Sequence, residues 1–289
     1  MDRPKAPATN GVPETETTVH PLAIVEDPGS LGRGVRVSAG AMVAAGSDLA
    51  DGVLVGPGVV VEPGVRVGAG TRLLTGTVLH SGVQVGASCS VGPYAVLGGE
   101  PMDTAFKGEP SGVVVEDGVS VREFVTIHRA TGEGALTRVG AGTLVMSYVH
   151  VSHNTVVGRR CVLTAGAQLG GHSLIGDRAN VGSSSLLHQF CRVGPHAMFG
   201  AASAANQDVL PFAMARGNPA KHYRLNSVGL KRSGIEGDRY RGIEAALRAV
   251  RRRDTVLLEE LAAKSDDARL LRDFLQTTKR GVARFVGGA

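Results

Sequence analysis

From Val37 onward an aliphatic residue recurs at every sixth position, through Val43, Leu49, Val55, Val61, Val67, Leu73, Leu79, Val85, Val91 and Leu97. The same register resumes at Val115, Val121 and Ile127. It runs again from Val139 through Val145, Val151, Val157, Leu163, Leu169, Ile175, Val181, Leu187, Val193 and Phe199 to Ala205. Of the 29 slots between 37 and 205, 26 are aliphatic or aromatic; Asp103, Glu109 and Glu133 break the pattern inside two Gly-containing stretches, which predicts loops near 98–113 and 130–137. A period of six fits neither the 3.6 of a helix nor the simple alternation of one strand. It fits short strands joined by turns, each strand pointing one side chain inward, with Gly40, Gly46, Gly52 and their successors at the bends. Three hexads make a coil of 18 residues, and coils stacked about 4.8 Å apart form a prism of parallel sheets around a thin aliphatic core.

The pattern divides the chain. Residues 1–18, rich in Pro, Thr and Glu, read as a disordered tail. Residues 19–215 carry the β-helix. Residues 216–289 read as a helical domain, with Ile243, Leu247 and Val250 at helical spacing and Leu270, Leu271, Phe274 and Leu275 following the cap-like Ser265-Asp266-Asp267. Composition agrees: 43% of residues are hydrophobic but only 4% are aromatic and none is Trp, as a narrow repetitive core requires. Charge is concentrated. Between Arg216 and Arg253 there are 11 Lys or Arg against 3 Asp or Glu, a local +8 in a chain whose net charge is +5, leaving −3 elsewhere. Such a segment is either a solvated helix face or a surface for an anionic partner. It lacks interleaved aromatics beyond Tyr223 and Tyr240, so nucleic acid is not expected. Cys89, Cys161 and Cys191 form no Cys-x-x-Cys pair and are odd in number. With no apolar leader and no run of about 18 apolar residues, a cytoplasmic protein without stable membrane insertion is expected.

Reactive groups are scarce in such a prism, so five histidines between His128 and His188 stand out. Because residues 18 apart stack, His153 lies beneath Gly171 and His172 on Asn154. An imidazole under a glycine has open space above it and a backbone N–H close by, the requirements of a general base with oxyanion stabilisation, as in acyl transfer. A zinc site is not expected: His150 and His153 are three apart, with no second His-x-x-His or Cys-x-x-Cys to complete a ligand set.

The strings GGEPMDTAFKGEP, VREFVTIHRAT, SYVHVSHNTVVG, LGGHSLIGD, LLHQFCRVGPHAM, NQDVLPFAMARGNPA and LNSVGLKRSG together resemble the UDP-N-acetylglucosamine O-acyltransferases, which open lipid A biosynthesis. The similarity covers residues 19–289. It implies a left-handed parallel β-helix followed by helices, a homotrimer with sites between subunits, no cofactor, and a 3-hydroxyacyl donor carried on the phosphopantetheine of acyl carrier protein. The left hand comes from the resemblance alone, since connections between parallel strands are otherwise right-handed. By the same resemblance His153 is the general base, assisted by Asn154, and Gly171 supplies the N–H that faces the thioester oxygen. Asp103 holds the glucosamine hydroxyls. His128, His150, His172, His188 and Gln189 line the acceptor and acyl groups, Ala201 limits chain length, and Asn226 and Arg232 lie near the nucleotide. The remaining basic charge suits the acidic carrier protein.

The chain departs from the family at several points. Asn154 stands where the family has Asp, so the residue beside the base is neutral. Ala105, Met102, Val228 and Ser233 replace polar or charged family residues on the nucleotide side, and about one extra coil is present near the N-terminus. Two alternatives follow: the same chemistry on another acceptor, such as a 3-amino sugar nucleotide, or a catalytically silent trimeric scaffold.

Overall fold

The computed structural model describes residues 16–287. Most strands are two residues long, and in the hexad strands the second residue points inward, so that all 26 apolar hexad positions are buried. Strands stack in parallel into three sheets, the faces of a triangular prism. The first face contains Ser90–Val91, Leu144–Val145 and Val162–Leu163; the second Thr126–His128, His150–Val151 and Gln168–Leu169; the third Val156–Val157 and Leu174–Ile175. The solenoid is left-handed, with about 11 turns. Its core is the run of Val, Leu and Ile that the hexads supply, with Phe199 as its one large aromatic.

Bends use the left-handed backbone region, and in the N-terminal coils Gly occupies it, for instance at Gly40 and Gly64. Further along the chain the same position holds side chains: Tyr94, Phe124 and Tyr148 at one corner, Asn154, His172 and Phe190 at the next. A non-glycine residue there costs about 1–2 kcal/mol. Ring stacking offsets part of that cost, with centroids 5.5 Å apart for Tyr94 and Phe124, 5.1 Å for Phe124 and Tyr148, and 4.8 Å for His172 and Phe190.

The prism does not hand over to helices at 216. Ala213–Gly217 first continues the first face, parallel to Met198–Phe199, and then turns back through Ala220–Leu225 as an antiparallel hairpin. This hairpin covers the edge that a parallel stack would leave unpaired. Four helices follow: α1 (Ser227–Arg232), α2 (Gly237–Arg252), α3 (Thr255–Ala262) and α4 (Asp266–Gln276). Ser265 caps α4 as its sequence suggests, but the buried positions of that helix are Ala268 and Leu271, while Leu270 is exposed. Buried Asp208 holds the two parts together: it accepts from the Arg192 backbone N–H (2.8 Å), Arg192 Nε (2.8 Å) and Thr278 Oγ1 (2.8 Å), and Arg192 Nη2 donates to Phe274 O. Of the tail expected over 1–18, residues 1–15 lie outside the described residues and Thr18 already belongs to a strand, Thr18–Val19, paired with Arg36–Val37.

Candidate active site

Two insertions build one corner. Coils pair 18 residues apart through most of the prism, but Val96 pairs with Thr126 and Thr126 with His150, separations of 126 − 96 = 30 and 150 − 126 = 24. The surplus of 12 and 6 residues leaves as two loops, 100–111 and 129–135, both where the second face turns into the third. His153 and Asn154 occupy that same turn one coil on, and Gly171 and His172 occupy it in the coil after.

The loops are tied to each other and to the turn. Glu109 Oε1 accepts the Gly132 N–H and Oε2 the Lys107 N–H, each at 2.7 Å, and Gly134 N–H donates to Pro110 O at 2.8 Å. Asn154 then grips the second loop with both ends of its amide. Nδ2 donates to Thr131 O and Oδ1 accepts the Thr131 N–H, both at 2.9 Å. With its nitrogen so committed, Asn154 presents oxygen to His153 Nδ1, 2.9 Å away. An oxygen there requires the proton on Nδ1 and leaves the lone pair on Nε2. Nε2 faces Gly171, the one residue type that fits: a Cβ at 171 would lie 2.5 Å from it. The N–H groups on either side of Gly171 are bound in the ladder, Gly170 to Leu187 O (2.8 Å) and His172 to His153 O (3.0 Å), whereas among the described residues the Gly171 N–H has no hydrogen-bond partner.

Asp103 completes the cluster. Its Oδ1 accepts the Ala105 N–H at 3.0 Å, and Oδ2 lies 3.7 Å from His153 Nδ1. The Ala105 N–H and the neighbouring Thr131 hydroxyl, with the histidines beyond, hold the Asp103 carboxyl below the usual carboxylate range. His172 packs edge-on to His153, 5.2 Å between centroids; burial lowers its pKa, and His153 lowers it further. His150 is pushed down to about 4, by burial first and then by His128 and His153, so it is neutral near pH 7. Its Nδ1 meets Thr126 Oγ1 at 2.8 Å, and His128 Nδ1 donates to Glu100 O at 2.5 Å. Donor atoms of Asp103, His153 and His172 come within 4.8 Å of one another. That is looser than the roughly 3.3 Å between neighbouring donors of a tetrahedral zinc with bonds of about 2.0 Å. The cluster is also the arrangement a base, its orienter and a carboxylate need.

The other expected residues are distributed around this corner. His150 and His188 both line a mostly apolar groove of about 370 Å³ across the second face, with Leu186, Ala204 and Pro219. Gln189 is exposed, and its backbone N lies beside Gly170, where a Cβ would come within 2.6 Å. Ala201 sits at the opposite edge of the second face, where the first face turns into it, and does not line the groove within one chain. Asn226 is buried and caps α1: its Oδ1 accepts the Gly229 N–H and its Nδ2 donates to His196 O, so both ends are occupied. Arg232 is exposed at the end of α1. Thr131 and Glu109 were not singled out from sequence. Glu109 carried a signal, since it and Asp103 are two of the three polar residues that interrupt the hexads.

Comparison with known proteins places the chain in a family. Residues 208–283 match the family model described as UDP-N-acetylglucosamine O-acyltransferase, domain 2. Over 205 residues the chain is 39% identical to the acyl-(acyl-carrier-protein)–UDP-N-acetylglucosamine O-acyltransferase of Burkholderia thailandensis, covering 67% of this chain and 78% of that one. The chain belongs to the UDP-N-acetylglucosamine O-acyltransferase family. Solved structures of UDP-N-acetylglucosamine acyltransferases are similar over most of the chain. That of Francisella novicida has a TM-score of 0.84 at 28% identity, over 94% of this chain and 95% of the other; that of Moraxella catarrhalis has 0.81 at 31%, over 92% and 99%. Among the described residues no helix of this O-acyltransferase is long and apolar enough to cross a membrane.

Proposed function

We propose that this enzyme transfers a 3-hydroxyacyl chain from acyl carrier protein to the 3-hydroxyl of UDP-N-acetylglucosamine at the start of lipid A biosynthesis; the names of its relatives supply the carrier protein, the UDP sugar and O-acylation. The observation that carries the reading is the His153 ring, with Nδ1 against the Asn154 oxygen and Nε2 open beneath Gly171. Nε2 takes the proton of the acceptor hydroxyl as its oxygen attacks the thioester carbonyl. The Gly171 N–H stabilises the tetrahedral oxyanion, worth about 10²–10³ in rate for one such donor. Collapse breaks the C–S bond, and the phosphopantetheine thiolate leaves with the proton from His153. No cofactor takes part. Asp103 and His172 position the sugar, His128 stands beside it, and the groove lined by His150 and His188 takes the acyl chain past Gln189.

Ala201, Asn226 and Arg232 do not meet this corner within one chain. A homotrimer, in which a neighbour brings its first-to-second-face edge and C-terminal residues to the corner, is the assembly we propose, in the cytoplasm, where free thiols such as buried Cys89, Cys161 and Cys191 persist. The basic stretch from Arg216 to Arg253 is the surface proposed for acidic carrier protein. Asn154 favours a second acceptor, a 3-amino sugar nucleotide, because an amine attacks with less help from a base. The test is mass spectrometry of products formed from 3-hydroxyacyl carrier proteins of several lengths and an equal mixture of both acceptors. O-acylation lost in His153→Ala supports the main reading, exclusive N-acylation supports the second, and absence of product supports a scaffold.

A further inference from the structure

We propose that Asp103 is the counter-charge of the His153 imidazolium, a positioning carboxylate that supplies what the neutral Asn154 cannot. The inference rests on the acyl-transfer reading above and adds to the sugar-binding role that resemblance gives Asp103. In a serine-protease triad one carboxylate both fixes the tautomer of the base and balances its charge when protonated. Here those tasks fall to different residues. Asn154 fixes the tautomer through the 2.9 Å contact to Nδ1, but an amide oxygen carries only a partial charge. Asp103 Oδ2, at 3.7 Å from Nδ1, is too far for a hydrogen bond and within ion-pair range.

The geometry is held in place. Oδ1 of Asp103 is anchored on the Ala105 N–H, which turns Oδ2 toward the ring, and the two side chains are 9% (His153) and 21% (Asp103) exposed, so water screens the pair poorly. Among the described residues the other ionisable groups seen to act on or pack against His153 are histidines: His172 edge-on and His150 through space. The nearby carboxylates are engaged elsewhere, Glu100 with Arg129 and Glu109 with the Gly132 and Lys107 N–H groups. Among the described residues Asp103 is the one carboxylate paired with a histidine of this corner.

The experiment is a double-mutant cycle on Asp103→Asn and Asn154→Asp in the full-length enzyme. D103N is expected to lower kcat about 10²-fold and to move the acidic limb of the kcat/KM profile to lower pH. Adding N154D should regain about 10-fold, because a carboxylate again adjoins Nδ1. A D103N that raises only KM for the sugar, or costs as much in both backgrounds, overturns the proposal. Imidazole ¹⁵N spectra of the resting protein give a readout without substrate. The His153 ring should charge at lower pH in D103N than in wild type, and an unchanged titration overturns the proposal. A protein inactive on both acceptors but with the expected titration rejects the acyl-transfer reading and keeps the charge relation. N154D trades an N–H for a carboxylate oxygen facing the Thr131 carbonyl; if it fails to fold, the D103N spectra and kcat/KM split still decide.

Discussion

His153 occupies the space that a side chain at Gly171 would need: a Cβ there would lie 2.5 Å from Nε2 and 2.6 Å from Cε1. Gly171 does not adopt a left-handed backbone, so the glycine serves the ring's approach and not the turn. The ring cannot withdraw, because its Nδ1 is held on Asn154.

Gly171→Ala is therefore expected to displace the imidazole while leaving the β-helix folded. A misplacement of about 1 Å is enough to cost about 10² in rate. Steady-state kinetics should give a kcat lowered at least that far with a nearly unchanged melting temperature; full activity would show that Nε2 is not the base.

Glu109 acts at a distance from the chemistry. Its contact to the Gly132 N–H joins the loop that carries Asp103 to the one that carries Thr131, and its contact to the Lys107 N–H fixes its own loop. Glu109→Ala should raise proteolytic cleavage within 100–135 and lower kcat/KM, whereas Glu109→Gln, which keeps one acceptor oxygen, should lose less. Limited proteolysis followed by mass spectrometry checks the first effect.

Asp208 clamps the last coil to the helices by accepting three hydrogen bonds, two from Arg192 and one from Thr278, and its side chain is only 1% exposed. Asp208→Ala leaves the Arg192 guanidinium without its charge partner, a change that costs about 3–5 kcal/mol for a buried pair. Chemical denaturation should show the helical part unfolding earlier than the prism.

Acid should weaken the same junction. His222 is wholly buried, accepting the Leu210 N–H on Nε2 and donating from Nδ1 to Ala283 O, and burial pushes it down to about 4. Between the ordinary value of about 6.5 and about 4, the unfolded chain binds a proton that the folded chain does not, so stability falls as pH falls through that window. The full effect is about 3 kcal/mol, and His150, shifted in the same direction, adds to it. Melting temperatures at pH 7 and pH 5 should differ, and His222→Gln should be less stable at pH 7 but lose less on acidification.

The hexads made the prism legible from the chain because a two-residue strand has only one inward position, so burial writes a strict period into the sequence. Each of the 26 apolar slots is buried, and the slots that break the period lie in or beside the loops that shape the site. Stacking arithmetic also brought His153 under Gly171, since both lie beyond the insertions where coils keep the 18-residue step.

Other features were not local. The hairpin over 213–225 has no hexad and no helical spacing; it forms because the last coil exposes an unpaired edge, which only the assembled sheet presents. Resemblance put Asn226 near the nucleotide, whereas its neighbours in space, Gly229 and His196, make it a helix cap within one chain. The partners of His153 depended most on folding. Thr131, 23 residues before Asn154, orients its amide, and Asp103, 50 residues before His153, brings charge to the ring, both through loops whose lengths the sequence showed but whose paths it did not. A periodic core determines where backbone goes because the same burial repeats in every coil, whereas a site of single contacts between insertions is set only when the coils stack.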